Sequence, residues 1–200
     1  MTRHLRTSRD LSPPPFSEGL DDWSRTDGRP DSPTYEGAAN VRLVEQDAKF
    51  GACLELRKIE TVQRLRYMGE VPIQPGRYLA IRARIRAVSG PLGLAQIAAW
   101  PGAAGGIPVT DLPTVGRLVP LKPDGAIIAL RTVVGPVARP GVDLVWDSRV
   151  RYAHVGLDLS GQNQGVVRVE SISVSDVTRI VAPDGPDLPG FGTLEPVLAD

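Results

Sequence analysis

Residues 150–177 read VRYAHVGLDLSGQNQGVVRVESISVSDV. Two stretches of alternating apolar and polar residues flank a Ser-Gly-Gln-Asn-Gln-Gly centre, and alternation with period two is the signature of a strand with one buried face. The segment is therefore read as two antiparallel strands around a Gly/Asn turn, with Leu157, Leu159, Val167 and Val169 facing the core. A β-sandwich becomes the expected fold.

Working outward, the same period recurs. From Tyr78 to Val88, Leu79, Ile81, Ala83, Ile85 and Ala87 take one side, while Tyr78, Ala80, Arg82, Arg84 and Arg86 take the other. The first parity is expected in the core and the second in water. Pro75-Gly76 supplies the turn before this strand, and Val71-Pro72-Ile73 precedes it. Further strands are expected at 41–45, 52–57, 63–68, 92–100, 126–134, 152–159 and 166–175. A short segment at Phe16 brings the total to about nine, a number suited to a sandwich or jelly roll. No window of a dozen residues carries a helical apolar stripe free of Gly and Pro, so the chain is all-β, a two-sheet antiparallel sandwich. Residues 101–125 hold Gly105-Gly106, Pro108, Pro113, Pro120 and Pro123, too much punctuation for an interior strand. They are expected to form a long connection at the rim of a binding surface.

The 200 residues suit one such domain with tails. Its 23 basic and 23 acidic side chains give a formal net charge of zero, which argues against nucleic acid or an anionic membrane as partner. Cys53, the single cysteine, lies in the apolar run 50–56 and reads as a small buried hydrophobe. Met1 to Pro15 contains Arg3, Arg6, Arg9 and Pro13-Pro14-Pro15 but no apolar signal core, and no segment is long enough to span a bilayer. Synthesis in the cytoplasm without an export signal is expected. The organisation is read as an N-terminal arm (1–15), a folded body (16–180) and a Pro/Gly/Asp-rich tail (181–200).

Three stretches together resemble the galactose-binding-like jelly rolls found among carbohydrate-binding modules. Phe16-Ser17-Glu18-Gly19-Leu20-Asp21-Asp22-Trp23 is similar to the opening strand of that family, 73–84 to its Pro-Gly-x-Tyr strand, and 165–174 to its last strand. The resemblance covers most of residues 16–178. It implies recognition of a polysaccharide or glycan without chemistry. Many members hold a structural calcium near the chain ends. Glu170 and Ser171 stand where the family usually has Asp, so no cofactor and no metal ligand is assigned.

The residues themselves offer little for catalysis. Of the two histidines, His4 lies in the arm and His154 on a strand, and no Gly-x-Ser-x-Gly elbow is present. A single Cys with no paired His spacing excludes zinc. Residues 102–106 lack the Lys-Ser/Thr of a phosphate loop and read as a loop. Asp21, Asp22, Asp27 and Asp31 cluster in one loop, and Asp143 and Asp147 flank Trp146. Carboxylates in such turns usually accept from backbone amides.

The arginines carry the functional expectation. Arg64 and Arg66 share one strand face, Arg82, Arg84 and Arg86 another, and Arg131 and Arg168 lie on further strands. Brought onto one sheet they would form a polar floor for carboxylate, sulfate or hydroxyl groups. Trp100 and Trp146, beside turn residues, are the expected stacking partners for a sugar ring. The expected ligand-binding set is Arg64, Arg66, Arg82, Arg84, Trp100, Arg131 and Trp146. The competing reading pairs the arginines with Glu55, Asp158 and Glu170 and plugs the core with the tryptophans. Expected function is thus a non-catalytic carbohydrate-binding or adhesion module, such as a spike or fibre component of a phage-like particle released by lysis. Its rivals are an assembly module that packs on particle subunits or further copies of itself, and a glycan-active enzyme.

Overall fold

The computed structural model describes residues 10–24, 41–59, 62–91, 93–110, 113–161 and 164–187. A 3₁₀ turn, Phe16–Glu18, precedes β1 (Trp23–Ser24), β2 (Val41–Asp47), β3 (Gly51–Arg57), β4 (Val62–Tyr67) and β5 (Val71–Pro72). Then follow β6 (Leu79–Ser89), β7 (Leu94–Ala103), β8 (Ile107–Pro108), β9 (Thr114–Val115) and β10 (Val119–Pro120). The chain continues through β11 (Ile127–Gly135), β12 (Leu144–Val145), β13 (Tyr152–Ser160), β14 (Val166–Asp176) and the one-turn helix α1 (Thr178–Val181). No helix among the described residues is long and apolar enough to cross a membrane.

The strands form two sheets. The first runs β1-β4-β13-β7-β10, with β5 on β13 and β8 and β9 on β7; the second runs β12-β11-β6-β14-β3-β2. The pairings are antiparallel apart from the parallel pair of β11 and β12. Alternation decides what lies between the sheets. Leu79, Ile81 and Ile85 from the second sheet meet Leu157 and Leu159 from the first in one core with Val167 and Val169, each at most 3% exposed.

Four expectations need correction. The strands 152–160 and 166–176 form, but they do not pair with each other: β13 lies between β4 and β7, and β14 between β3 and β6. The connection, with Gly161 at φ 89° and Gln164 at φ 78°, carries the chain from one sheet to the other. Both strands bury one parity, and facing each other across the core achieves that as well as pairing; alternation does not distinguish the two.

Tyr78 has the outward parity of β6 yet is fully buried. A second small cluster, Ala80, Val133, Val177 and Ala182, covers it on the outside of the second sheet. The Tyr78 amide donates to Thr178 Oγ1 at 2.9 Å, its carbonyl accepts from Val177 N–H at 2.8 Å, and Asp187 N–H reaches Gly76 O at 3.1 Å. The segment after β14 thus covers an outer face that alternation assigned to water.

The segment at Phe16 is a 3₁₀ turn, not a strand. It sets the Phe16 ring 4.9 Å from Trp23, which stands 5.4 Å from Tyr67, and Phe16 and Trp23 are both core residues. Finally, three described pieces of the stretch 101–125 are folded onto β7. That strand runs on to Ala103, Gly105 and Gly106 at φ 80° and 76° reverse the chain, and β8, β9 and β10 dock as two-residue edge pieces. Pro108 and Pro120 are tolerated because such short edge strands need few ladder donors.

The arm described from Asp10 onward runs beside the end of β14. Asp10 bridges Ser175, and Leu11 N–H donates to Val174 O at 2.9 Å.

Candidate functional site

The arginines expected to share one floor lie on opposite outer faces of the sandwich. Arg64 and Arg66 stand on β4 in the first sheet; Arg82, Arg84, Arg86, Arg131 and Arg168 stand on β6, β11 and β14 in the second. Leu65 and Leu157 point inward, so Arg64, Arg66, His154 and Asp158 point outward beside Gln96 and Trp100 of β7. Two small residues, Gly156 and Ala98, sit opposite Arg66 along the central row. They leave room for the Trp100 indole and for both guanidiniums, whose carbons stand 5.3 Å (Arg64) and 5.0 Å (Arg66) from the ring centroid. That is within cation–π range. Asp158 fixes Arg64 through Nε–Oδ1 at 3.0 Å and Nη2–Oδ2 at 3.3 Å.

Trp100 therefore lies on the outer face as expected, but it is only 9% exposed. With Arg64 and Arg66 both over its ring, this face presents held guanidinium groups and not an open indole. Trp146 is corrected outright. It is a core residue, 6% exposed, and its buried indole N–H has no hydrogen-bond acceptor among the described residues. Position beside turn residues does not separate a surface tryptophan from one that closes the end of a core.

On the second sheet, ion pairing accounts for most of the positive charge. Arg84 Nη1 meets Glu170 Oε2 at 2.6 Å, at a bulge between Val169 and Ser171, and Arg168 meets Glu55 at 3.1 Å beside Arg42 at 2.7 Å. Glu55, Asp158 and Glu170 are the three partners named by the competing reading. The sequence did not flag a fourth, Asp47. Its side chain is fully withdrawn from solvent and accepts from Arg86, Arg168 and the amides of Lys49 and Phe50. Burial pushes its pKa up, but these hydrogen bonds outweigh burial and hold it well below the usual carboxylate range. The signal for it was the Asp-Ala-Lys-Phe-Gly turn of 47–51, where Asp favours backbone amides two residues on. Phe50 packs under Arg84 and Arg86 at 5.8 and 5.9 Å. Arg131 stands directly opposite Arg82, and both are exposed.

Several titratable groups are engaged by neighbours or buried. His154 Nδ1 lies 3.1 Å from Gly69 O, and burial lowers its pKa, aided by the charge of Arg66. Asp143 accepts from Val133 N–H at 2.6 Å, and Asp147 pairs with Arg149 at 2.9 Å. Asp27 and Asp31 lie outside the described residues. Burial raises the Cys53 thiol, and the side chain is inaccessible. Among the described residues no three His, Cys, Asp or Glu side chains converge as a metal site.

No family model matches this sequence, and no curated protein matches it. Solved structures match in shape. The chain is similar to the CBM22-1 xylan-binding domain of Paenibacillus barcinonensis Xyn10C, at 10% identity over 85% of this chain and 92% of that one, TM-score 0.52. It is similar to the CBM22-1-CBM22-2 tandem of the same protein at 10% identity, covering 96% of this chain and 49% of the tandem, TM-score 0.58. It also resembles the enzymatically active domain of bacteriophage CBA120 tailspike protein 4, at 13% identity over 80% of this chain and 20% of that one, TM-score 0.50. The chain thus spans about half of the tandem and a fifth of the tailspike chain. At such identities the likeness shows the fold alone, a two-sheet β-sandwich shared with these structures.

Proposed function

We propose that this domain is a non-catalytic glycan-recognition module that binds hydroxyl-rich or acidic polysaccharide on the outer face of its first sheet. The observation that carries this reading is the stack of Arg64 and Arg66 on Trp100, with Arg64 held by Asp158. An arginine immobilised by stacking and by a bidentate carboxylate loses little freedom on binding, and its remaining N–H edge suits paired ligand oxygens. The xylan-binding name of one fold neighbour supports the ligand class. The absence of chemistry is supported by the engagement of the acid and the base on this face: Asp158 with Arg64, and His154 with Gly69.

The test is binding of the full chain to a panel of neutral and acidic polysaccharides, followed by Arg64→Ala and Arg64→Lys. Wild-type binding is expected to weaken at least tenfold in both variants, because lysine lacks the planar fork, and to weaken with salt for acidic glycans as the Debye length falls from about 10 Å at 0.1 M to 3 Å at 1 M. Retention of full affinity by Arg64→Ala overturns the assignment.

A second reading is favoured by the burial of Trp100 and Trp146, the two expected stacking groups, and of Trp23, so that among the described residues no tryptophan offers an open face. On that reading the domain is an assembly module of a larger particle made in the cytoplasm. A wild-type chain that binds no polysaccharide yet copurifies in fixed stoichiometry with a particle decides for assembly; binding to both makes it an adhesive spike component.

A further inference from the structure

At one end of the sandwich, away from the Trp100 face, a cavity of about 190 Å³ is lined by Leu11, Pro72, Gln74, Arg77, Leu79 and Asp176. Its position follows from the chain path. The N-terminal arm brings Leu11 against the end of β14, β14 ends on Asp176, and the Pro75-Gly76 turn places Gln74 and Arg77 before β6. Leu11, Pro72 and Leu79 form an apolar wall. The polar side is held by a loose pair: Arg77 Nη1 stands 3.7 Å from Asp176 Oδ2, beyond hydrogen-bond distance, with side chains 35% and 22% exposed. Asp176 Oδ1 is occupied by the Thr178 amide at 2.8 Å, which fixes the carboxylate and leaves Oδ2 facing the cavity side of the pair.

We propose that this cavity binds one neutral sugar ring of a glycan chain. The inference takes its ligand class from the glycan reading above but rests on a separate part of the molecule. The volume is smaller than the roughly 300–1,000 Å³ of drug-sized sites and larger than the ~150 Å³ cavity that admits benzene; one six-membered ring fits. The chemistry is complementary. A guanidinium only donates, a carboxylate only accepts, Gln74 does both, and a hydroxyl does both. A hydroxyl set beside the pair on the cavity side accepts from Arg77 and donates to Asp176, bridging two groups that stand too far apart to hydrogen-bond each other. The apolar wall receives the C–H face of the ring by dispersion. Asp176 disfavours a uronate or sulfate here, so this site selects neutral rings, whereas the Arg64 face accepts anionic ones.

The test is a two-dimensional ¹H–¹⁵N NMR titration of the full chain with glucose, galactose, mannose, xylose and glucuronate. At least one neutral sugar is expected to shift the Leu11, Gln74, Arg77 and Asp176 amides saturably in the millimolar range, with glucuronate weaker than glucose. Asp176→Asn, which keeps an oxygen for Thr178, and Arg77→Met are each expected to weaken that binding at least fivefold, while Arg64→Ala leaves it unchanged. Shifts confined to residues around Arg64 and Trp100 overturn this inference and leave the first-sheet site standing. No shift at the cavity with any of the four neutral sugars, or unchanged affinity in both cavity variants, also overturns it. Loss of polysaccharide binding in Arg64→Ala alongside intact cavity titration bears on the first-sheet site separately.

Discussion

Arg86 donates to an Asp47 carboxylate that has no exposure to solvent, so one ion pair anchors β6 to the end of β2. Arg168 on β14 donates to the same carboxylate, and Glu55 on β3 ties Arg168 to Arg42 on β2. Removing one partner of a buried pair leaves the others uncompensated. Asp47→Ala is therefore expected to cost about 3 kcal/mol, measured by urea unfolding. Because the folded pKa is depressed, the unfolded chain binds the extra proton on acidification, so this stability is intact above about pH 4 and is lost as pH falls below it. Asp47→Asn should flatten that acid limb relative to wild type; an unchanged limb refutes the coupling.

His154 gives a second pH dependence at a higher window. Its folded pKa lies below the ordinary value because burial, and then the charge of Arg66, disfavour the imidazolium. Below about pH 6.5 the unfolded chain takes up a proton that the folded one resists. Stability thus falls as pH drops from about 6.5 toward the folded pKa and is constant above that window. The thermal midpoint of wild type minus that of His154→Gln, followed from pH 7.5 to 5, should decline; the difference cancels any contribution from His4.

Alternation exposed the strands and the core because burial on one face enforces period two over whole strands: Ile81, Ile85, Leu157 and Val169 all lie where their parity places them. Truncating Ile81 or Leu157 to Ala is expected to cost about 2–5 kcal/mol, read by denaturant midpoint. A loss under about 0.5 kcal/mol for either would mean the opposite register.

What remained illegible depends on which strand meets which. Arg64 and Arg82 look alike in sequence, and only the sheet order puts them on opposite faces. Tyr78 shares a parity with Arg82, yet Val177 and Ala182, a hundred residues on, cover one and not the other. Arg77 and Asp176 gave no local signal, because their juxtaposition needs the two ends of β6 and β14 to meet. The pairings of Arg168 with Glu55, Arg64 with Asp158 and Arg84 with Glu170 were more accessible, since strands rich in opposite charges tend to place them across from each other.

Trp146 allows a sharper measurement than a usual core aromatic. Its ring fills the core, but the indole N–H is buried without an acceptor, and an unmet buried donor costs about 1–3 kcal/mol. The cleft it lines, about 30 Å³, holds at most one water or hydroxyl. Trp146→Phe removes that donor and opens some space, two effects of opposite sign. Unfolding free energy is expected to stay within about 1 kcal/mol of wild type, whereas Trp146→Ala, which loses the whole ring, is expected to cost about 3–5 kcal/mol. If Trp146→Phe alone cost 3 kcal/mol or more, the N–H would have to be satisfied in solution, and a tightly held water in the cleft beside Gln74 and Ser148 would be its acceptor.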